Sequence, residues 1–311
     1  MTETDRIDPA ERPGPPDSSE PAATAGAAQA QSQFRRAWTR FRRNKLALAS
    51  LVILAALIVV AMIAPLIAPY GFEEPDYENT LAGPGTAGHL LGTDLLGRDL
   101  LSRLIYSLRT SFLVGFGAEL AALLVAIVIG LMAGYRGGRA EQLLMAVTDV
   151  MFAFPTYLFA VLMVAVLGRS VGAVILAIAI ASWVNMARLT RAQTLTLMQR
   201  DFVEAARAMG APGVTIAVRY VLPNAVGPLL VAVSFGIPAA ITAEAGLALL
   251  GLGVQPPTPS LGGMIQDGIS YVTSYPNMLV WPAVMLAVVL LAFTWLGDGI
   301  RDAFDTTGTR R

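Results

Sequence analysis

Two carboxylates, Glu119 and Glu244, stand inside long, otherwise apolar runs of this sequence, where a charge faces a cavity or a partner helix. Glu119 is read as a wall of a translocation pathway or as a contact with a partner chain. Glu244 is read as a pathway wall or as a helix-end carboxylate near the outer interface. Other residue types that do chemistry are scarce. There is no cysteine and His89 is the one histidine, so thiolate nucleophiles, cysteine metal sites and imidazole zinc clusters are excluded. Lys45 is the one lysine and follows Asn44, so the Gly-Lys pair of a phosphate-binding loop is absent. If ATP drives this protein, another chain must bind it. The apolar runs hold no carboxylate dyad and no serine beside a base, which disfavours an intramembrane hydrolase. His89 is assigned no chemistry.

The elements that must position these residues are apolar helices. Of the 311 residues, 55% are hydrophobic and 14% charged, and the mean hydropathy is +0.61, so the chain needs lipid as its solvent. Basic and acidic residues cancel at 22 each, which gives no reason to expect a nucleic-acid partner. Leu46 to Ala64 carries no charge and reaches roughly 28 Å at about 1.5 Å per residue, close to the hydrocarbon thickness; Pro65 and Pro69 end it. Similar runs cover Ser111 to Gly134, Leu143 to Leu167, Val171 to Ala187, Ala225 to Leu250 and Leu279 to Leu296. The expectation is an all-α polytopic membrane protein with six transmembrane helices.

Residues 1–33, rich in Pro, Ala, Ser and Gly, are read as a disordered tail, because they offer too little apolar surface to offset chain entropy. Residues 34–45 stack six cations before the first span, with Phe34, Trp38 and Phe41 at helical spacing. That segment either lies on an anionic inner leaflet or serves as a plain topology signal. With both termini cytoplasmic, only Arg98, Arg103, Arg109 and Arg169 fall outside. Sixteen of the 22 Lys and Arg fall inside once Arg6 and Arg12 of the tail are set aside. The bias argues for a multi-pass protein of the cell's inner membrane with both termini in the cytoplasm.

Outside, residues 70–98 form an acidic, Gly/Pro-rich connection. Asp99 to Leu108, with Leu100, Leu101, Leu104, Ile105 and Leu108 on one face, is expected as an amphipathic helix lying along the outer surface. The outer loop 252–278 is expected to be ordered and partly non-helical. Asp149 is expected to pair with Arg136 or Arg139, or to touch the cytoplasmic loop. Pro155, Pro228 and Pro238 either kink spans or free carbonyls toward a cavity. Gly130 and Gly134 are read as helix-packing residues.

Between the fourth and fifth spans runs a cytoplasmic stretch of about 35 residues, long for a passive connector. Leu195, Met198, Phe202, Ala205 or Ala206, and Met209 recur at steps of three or four, which gives a helix with a narrow apolar stripe. Asp201 with Glu204 reads as a variant capping box, Gly210 as the stop, and Pro212 as the start of a second helix. Small Ala205 and Ala206 suit a groove on another protein; the alternative is that the stripe packs only on the chain's own helices.

Here a resemblance enters. Glu204-Ala205-Ala206, Gly210 and Leu222-Pro223 resemble the Glu-Ala-Ala loop of ABC importer permeases, with Tyr220 where that family usually has an aliphatic residue. The run His89 to Leu104 resembles the outer segment of the C-type permease in dipeptide and oligopeptide importers of the peptide/nickel family. Gly134 to Gly138 ahead of Asp149 and Pro155, Leu250 to Ser260, and Gly297 to Ala303 fit the same subfamily, in the expected order. Together these stretches cover most of the chain from residue 35 onward. Ala146, Leu261 and Thr306 depart from an arginine, a tryptophan and a proline common there.

The resemblance implies a type I ABC importer permease fold. Its expected organisation is a tail 1–33, a segment 34–110 holding the basic stretch, first span and outer segment, a five-helix core 111–301 with a coupling loop 188–223, and a C-terminal tail 302–311. It implies a transport subunit rather than an enzyme, forming the path with a B-type permease. Glu204, Ala205, Ala206, Gly210, Leu222 and Pro223 would couple to two ATPase subunits or domains, which hold ATP and Mg. Peptide would arrive from an extracytoplasmic binding protein. This chain would itself bind no cofactor and no metal. Relatives of this subfamily also carry nickel complexes, haem or other small solutes. A secondary transporter working without ATP, the alternative of another class, predicts inverted repeats, and no convincing internal repeat is present.

Overall fold

The computed structural model describes residues 35–305. The tail 1–33, Phe34, Thr306, Arg310 and Arg311 lie outside the described residues. A short helix α1 (35–41) leads to α2 (Lys45–Met62), whose N-terminus is capped by the Asn44 side chain accepting the Leu46 and Ala47 N–H groups. Pro65 lies in the first turn of α3 (Ala64–Ile67), where its missing N–H breaks no helical bond. Next come α4 (Leu100–Arg136), α5 (Gly138–Ala153), α6 (Thr156–Leu167) and α7 (Val171–Met198). The short α8 (Asp201–Ala208) and α9 (Gly213–Thr215) follow. A π-helical turn, Ile216–Val221, then runs into α10 (Leu222–Leu249), and α11 (Leu261–Ile269) and α12 (Asn277–Phe304) complete the described chain.

By length and composition five helical runs can cross a membrane: α2, α4, α7, Gly213–Leu249 and α12. The number is six if α5 and α6 form one bent span. The sequence expects that span as a single run, yet it bends by 87° between Ala153 and Thr156. Pro155 is the cause: it has no N–H to continue the ladder and holds Phe154 in the extended region, ψ 133°.

A second difference lies at the outer end of α4. The segment from Leu100 to Leu108 is not a separate surface helix but the first turns of one 37-residue helix. Asp99 is its N-cap, accepting the Ser102 N–H at 2.7 Å. No Gly or Pro interrupts Leu108 to Ser111. Leu100, Leu104, Leu108 and Phe112 are buried in a core shared with α2, α10, α11 and α12, so their apolar face meets protein. The boundary expected between residues 110 and 111 therefore falls inside a continuous helix.

The most extensive contact between two helices is that of α4 with α7. A Cβ added at Gly130 would lie 2.5 Å from the Thr190 Cβ, and one at Gly134 would lie 2.6 Å from the Thr194 Cβ. Lipid tails give helices little hydrophobic reason to associate, so such close backbone approach supplies the attraction. The Thr190 and Thr194 hydroxyls return to the Met186 and Thr190 carbonyls, so both donors at this crossing are satisfied. The two described ends of the chain meet at one end of the bundle. There Arg40 donates to the Asp305 carbonyl at 2.8 Å, and Phe41 and Ala47 pack with Ala303.

The outer segment before α4 is irregular but tied down. His89 is buried, with Nδ1 3.0 Å from Asp99 Oδ1 and its ring against Tyr70. Asp94 binds Arg98 at 2.7 Å and also the buried Arg103, and Asn277 of α12 donates to the Leu91 carbonyl at 3.0 Å. Among the described residues no group of His, Cys, Asp and Glu is arranged to hold a metal ion.

Candidate functional site

At the end of the bundle where the chain ends meet, α7 runs on from Ala187 to Met198, and the chain then breaks at Gln199 and Arg200. Arg200 is extended and is the N-cap of α8, with no side-chain bond to the free N–H groups. The capping box expected from Asp201 and Glu204 is therefore not formed. Both carboxylates lie instead in the first turn of α8, where they favour the positive end of the helix dipole. Gly210, at φ +78°, makes the tight turn, and Pro212 precedes α9.

The break at Arg200 also divides the stripe. Val203 and Ala206 are fully buried against Leu131, Ile216, Tyr220 and Val221, with Phe202 half-buried beside them. Glu204, Ala205, Ala208 and Met209 remain exposed, as do Val214 and Val218 beyond the turn. Of the residues singled out in the sequence, Glu204, Ala205 and Gly210 are thus on the free side and Ala206 is the anchor. Leu222 and Pro223 are half-buried in α10, where Asn224 Nδ2 donates to the Tyr220 carbonyl at 2.7 Å across the π-helical turn.

Two ion pairs brace α5 against α7. Asp149 accepts from Arg188 at 2.6 Å, and Glu141 accepts from Arg191 Nε at 2.7 Å. Arg188 also lies 4.0 Å over the Phe152 ring. Asp149 does not pair with Arg136 or Arg139. Ten residues separate Arg139 from it along α5, roughly 15 Å of helix rise.

The other site is a cavity of about 420 Å³ between α4, α6, α7 and α10. Glu119 reaches it from α4, Thr156 and Tyr157 from α6, Ser182 and Asn185 from α7, and Gly236 from α10. The Glu119 carboxylate presses on the α10 backbone at Gly236, where any Cβ would overlap it. Its Oε1 and the Ser182 Oγ are buried with no hydrogen-bond partner. Glu244, fully buried on α10, does not line this cavity; the Ser260 side chain approaches it, but neither carboxylate oxygen closes a hydrogen bond. The structure thus separates the two acids that the sequence pairs as pathway candidates. Sequence reasoning missed Tyr157, Ser182 and Asn185. The signal available for the last two was a pair of polar residues three apart in an apolar run, hence on one helix face.

Apolar spanning helices around a partly polar cavity, with an amphipathic helix beyond the end of one span, define a polytopic helical membrane protein. The sequence model of the family described as "Binding-protein-dependent transport system inner membrane component" matches residues 126–307. That of the N-terminal TM domain of oligopeptide transport permease C matches residues 32–84. The oligopeptide transport system permease protein OppC of Bacillus subtilis is 36% identical over 91% of this chain and 94% of its own. The dipeptide transport system permease protein DppC of Alkalihalophilus pseudofirmus is 38% identical over 89% and 90%. The glutathione transport system permease protein GsiD of Escherichia coli is 41% identical over 89% and 91%. A chain of the MetNI methionine ABC transporter, solved in inward-facing conformations, shares the fold with a TM-score of 0.54 at 18% identity, over 66% of this chain and 97% of that one.

This chain belongs to the inner-membrane component family of binding-protein-dependent transport systems. It is a multi-pass membrane permease of the ABC importer class.

Proposed function

We propose that this chain is one of two membrane subunits of an ATP-driven importer of dipeptides or oligopeptides, and that α8 couples it to the ATPases. The peptide reading is supported by full-length similarity to permeases named for oligopeptide, dipeptide and glutathione transport. A B-type permease completes the path, and an extracytoplasmic binding protein delivers the peptide. ATP and Mg are held by two partner ATPase subunits or domains, and this chain binds no cofactor. Both termini are cytoplasmic, a reading supported by the Lys/Arg bias and by the meeting of the chain ends.

The observation that carries the coupling role is the division of α8 into two faces. Val203 and Ala206 fix it to the bundle, while Glu204, Ala205 and Met209 stay uncovered. Once an ATPase seats on the uncovered face, its movement passes through Val203 and Ala206 into α4 and the turn leading to α10. Gly210 sets the direction of the turn, and Leu222 and Pro223 transmit rather than touch.

The deciding experiment is uptake of a radiolabelled dipeptide into proteoliposomes holding the whole complex, with ATP enclosed or omitted. ATP-dependent uptake that requires the binding protein is the expected result. Uptake indifferent to ATP would instead support a secondary transporter. Glutathione is the second cargo to test, because GsiD relatives reach 39% and 41% identity. Competition by excess glutathione against the dipeptide separates the two cargoes, and nickel complexes, haem and other small solutes are tested in the same format.

A further inference from the structure

The lining of the central cavity carries a single charge, Glu119. Its residue is 5% exposed, and among the described residues it has neither a hydrogen bond nor an ion pair. A carboxylate in this setting is costly to keep without a compensating group, so a partner from outside the chain is called for. Gly236 matters here, because any larger residue at that point of α10 would overlap the carboxylate. The neutral polar groups of Thr156, Tyr157, Ser182 and Asn185 border the same space, and its volume of about 420 Å³ lies in the range of small-molecule sites.

We propose that Glu119 receives the ammonium group of the transported solute. The cavity then holds the amine end of the solute, and the surrounding hydroxyl and amide groups hydrogen-bond the neutral atoms next to that amine. Resting on the peptide-import reading, this makes the free N-terminus of the peptide the group that Glu119 holds during passage. The Coulomb attraction is strong because the site is drier than bulk water.

The absence of cysteine from this chain allows a direct test. In the complete complex, Ser182→Cys places one thiol of this subunit at the cavity wall, and the same complex lacking that substitution sets the background. Its reaction rates with aminoethyl and sulfonatoethyl methanethiosulfonate are compared, each divided by the rate with free cysteine. The expected result is a preference of about tenfold for the cationic reagent, abolished by Glu119→Gln and kept by Glu119→Asp. Dipeptide uptake in Glu119→Gln without the added thiol should fall about tenfold, while ATP hydrolysis stimulated by the binding protein persists.

A preference that survives Glu119→Gln, a thiol that neither reagent reaches, or undiminished uptake overturns the proposal. So does a Glu119→Gln chain that fails to assemble with the second permease while Glu119→Asp assembles, since Glu119 is then a subunit contact. If the wild type takes up no peptide, the peptide reading fails, and the thiol preference still decides whether the cavity selects cations.

Discussion

Ala205 and Ala206 are neighbours on α8, about 100° apart around the helix, with unlike surroundings: Ala206 is fully buried against the bundle, and Ala205 is exposed. The same chemical change at the two positions should therefore fail for different reasons. Ala205→Arg leaves stability within about 0.5 kcal/mol, because an exposed substitution away from caps and pairs disturbs little. It should nonetheless abolish copurification of the ATPase subunits and ATP-dependent uptake. Ala206→Leu overpacks a filled site and costs about 1–3 kcal/mol, read as a lower melting temperature of the isolated permease pair. Normal ATPase assembly in Ala205→Arg would count against α8 as the docking element.

The crossing of α4 and α7 gives a prediction independent of function. Gly130→Leu drives a side chain into Thr190 Cβ at 2.5 Å and the Ala187 carbonyl at 2.8 Å, so the helices must separate. A cost of at least about 1–3 kcal/mol follows, measured by thermal unfolding in detergent. Gly172→Ala in the first turn of α7 is the control: nothing lies within 4 Å of the added Cβ, and the change should stabilise by at most about 0.5–1 kcal/mol. Equal melting temperatures for the two variants would contradict the packing described.

How much of this was visible in the residues alone depends on what lipid demands. The spans are legible because a hydrocarbon layer tolerates little besides long apolar helices, and Leu46 to Ala64 or Leu279 to Leu296 need no tertiary information. Hydropathy divides α4 at Arg103 and Arg109, whereas the folded chain keeps Arg103 buried in the helix by giving it Asp94. Pairing across the fold is invisible to a pattern along the chain. The start of α8 was legible in Asp201 and Glu204, although Arg200 is the N-cap; the stripe from Leu195 to Met209 runs across that start and so hid the division of the α8 face. The 420 Å³ cavity arises from four helices meeting, which no single run of sequence records.

The buried charges of the outer segment form a unit that can be taken apart in steps. Asp94→Asn leaves Arg103 in the protein with only Asp267, 3.8 Å away, to balance it. Breaking such a pair costs about 3–5 kcal/mol. Replacing both partners, as in Asp94→Asn with Arg103→Met, should recover part of the loss, because the buried Arg103 charge is then gone, while Arg98 still lacks its Asp94 partner. A double-mutant cycle by chemical denaturation measures the coupling, and additive single effects would show that the two residues act separately.

Acidity should act on the same segment through Asp267. Burial raises its carboxyl above the ordinary aspartate value, while the Arg103 charge opposes that rise. A raised acid penalises the folded state when ionised, so the penalty is fully present above the folded pKa. It is relieved as pH falls through that value, and it is gone below the unfolded value of about 3.9. Asp267→Asn removes the ionisation and should flatten the dependence of melting temperature on pH over the acidic range, with the largest gain at neutral pH. The comparison needs the wild type at each pH, because the Asp76 carboxyl moves the other way. Its hydrogen bond from Asn79, at 2.7 Å, holds it below the ordinary value, so the stability it adds is lost as acid protonates it. A difference in melting temperature between Asp267→Asn and the wild type that stays the same from neutral pH through the acidic range, instead of shrinking as the pH falls, would remove Asp267 as the source.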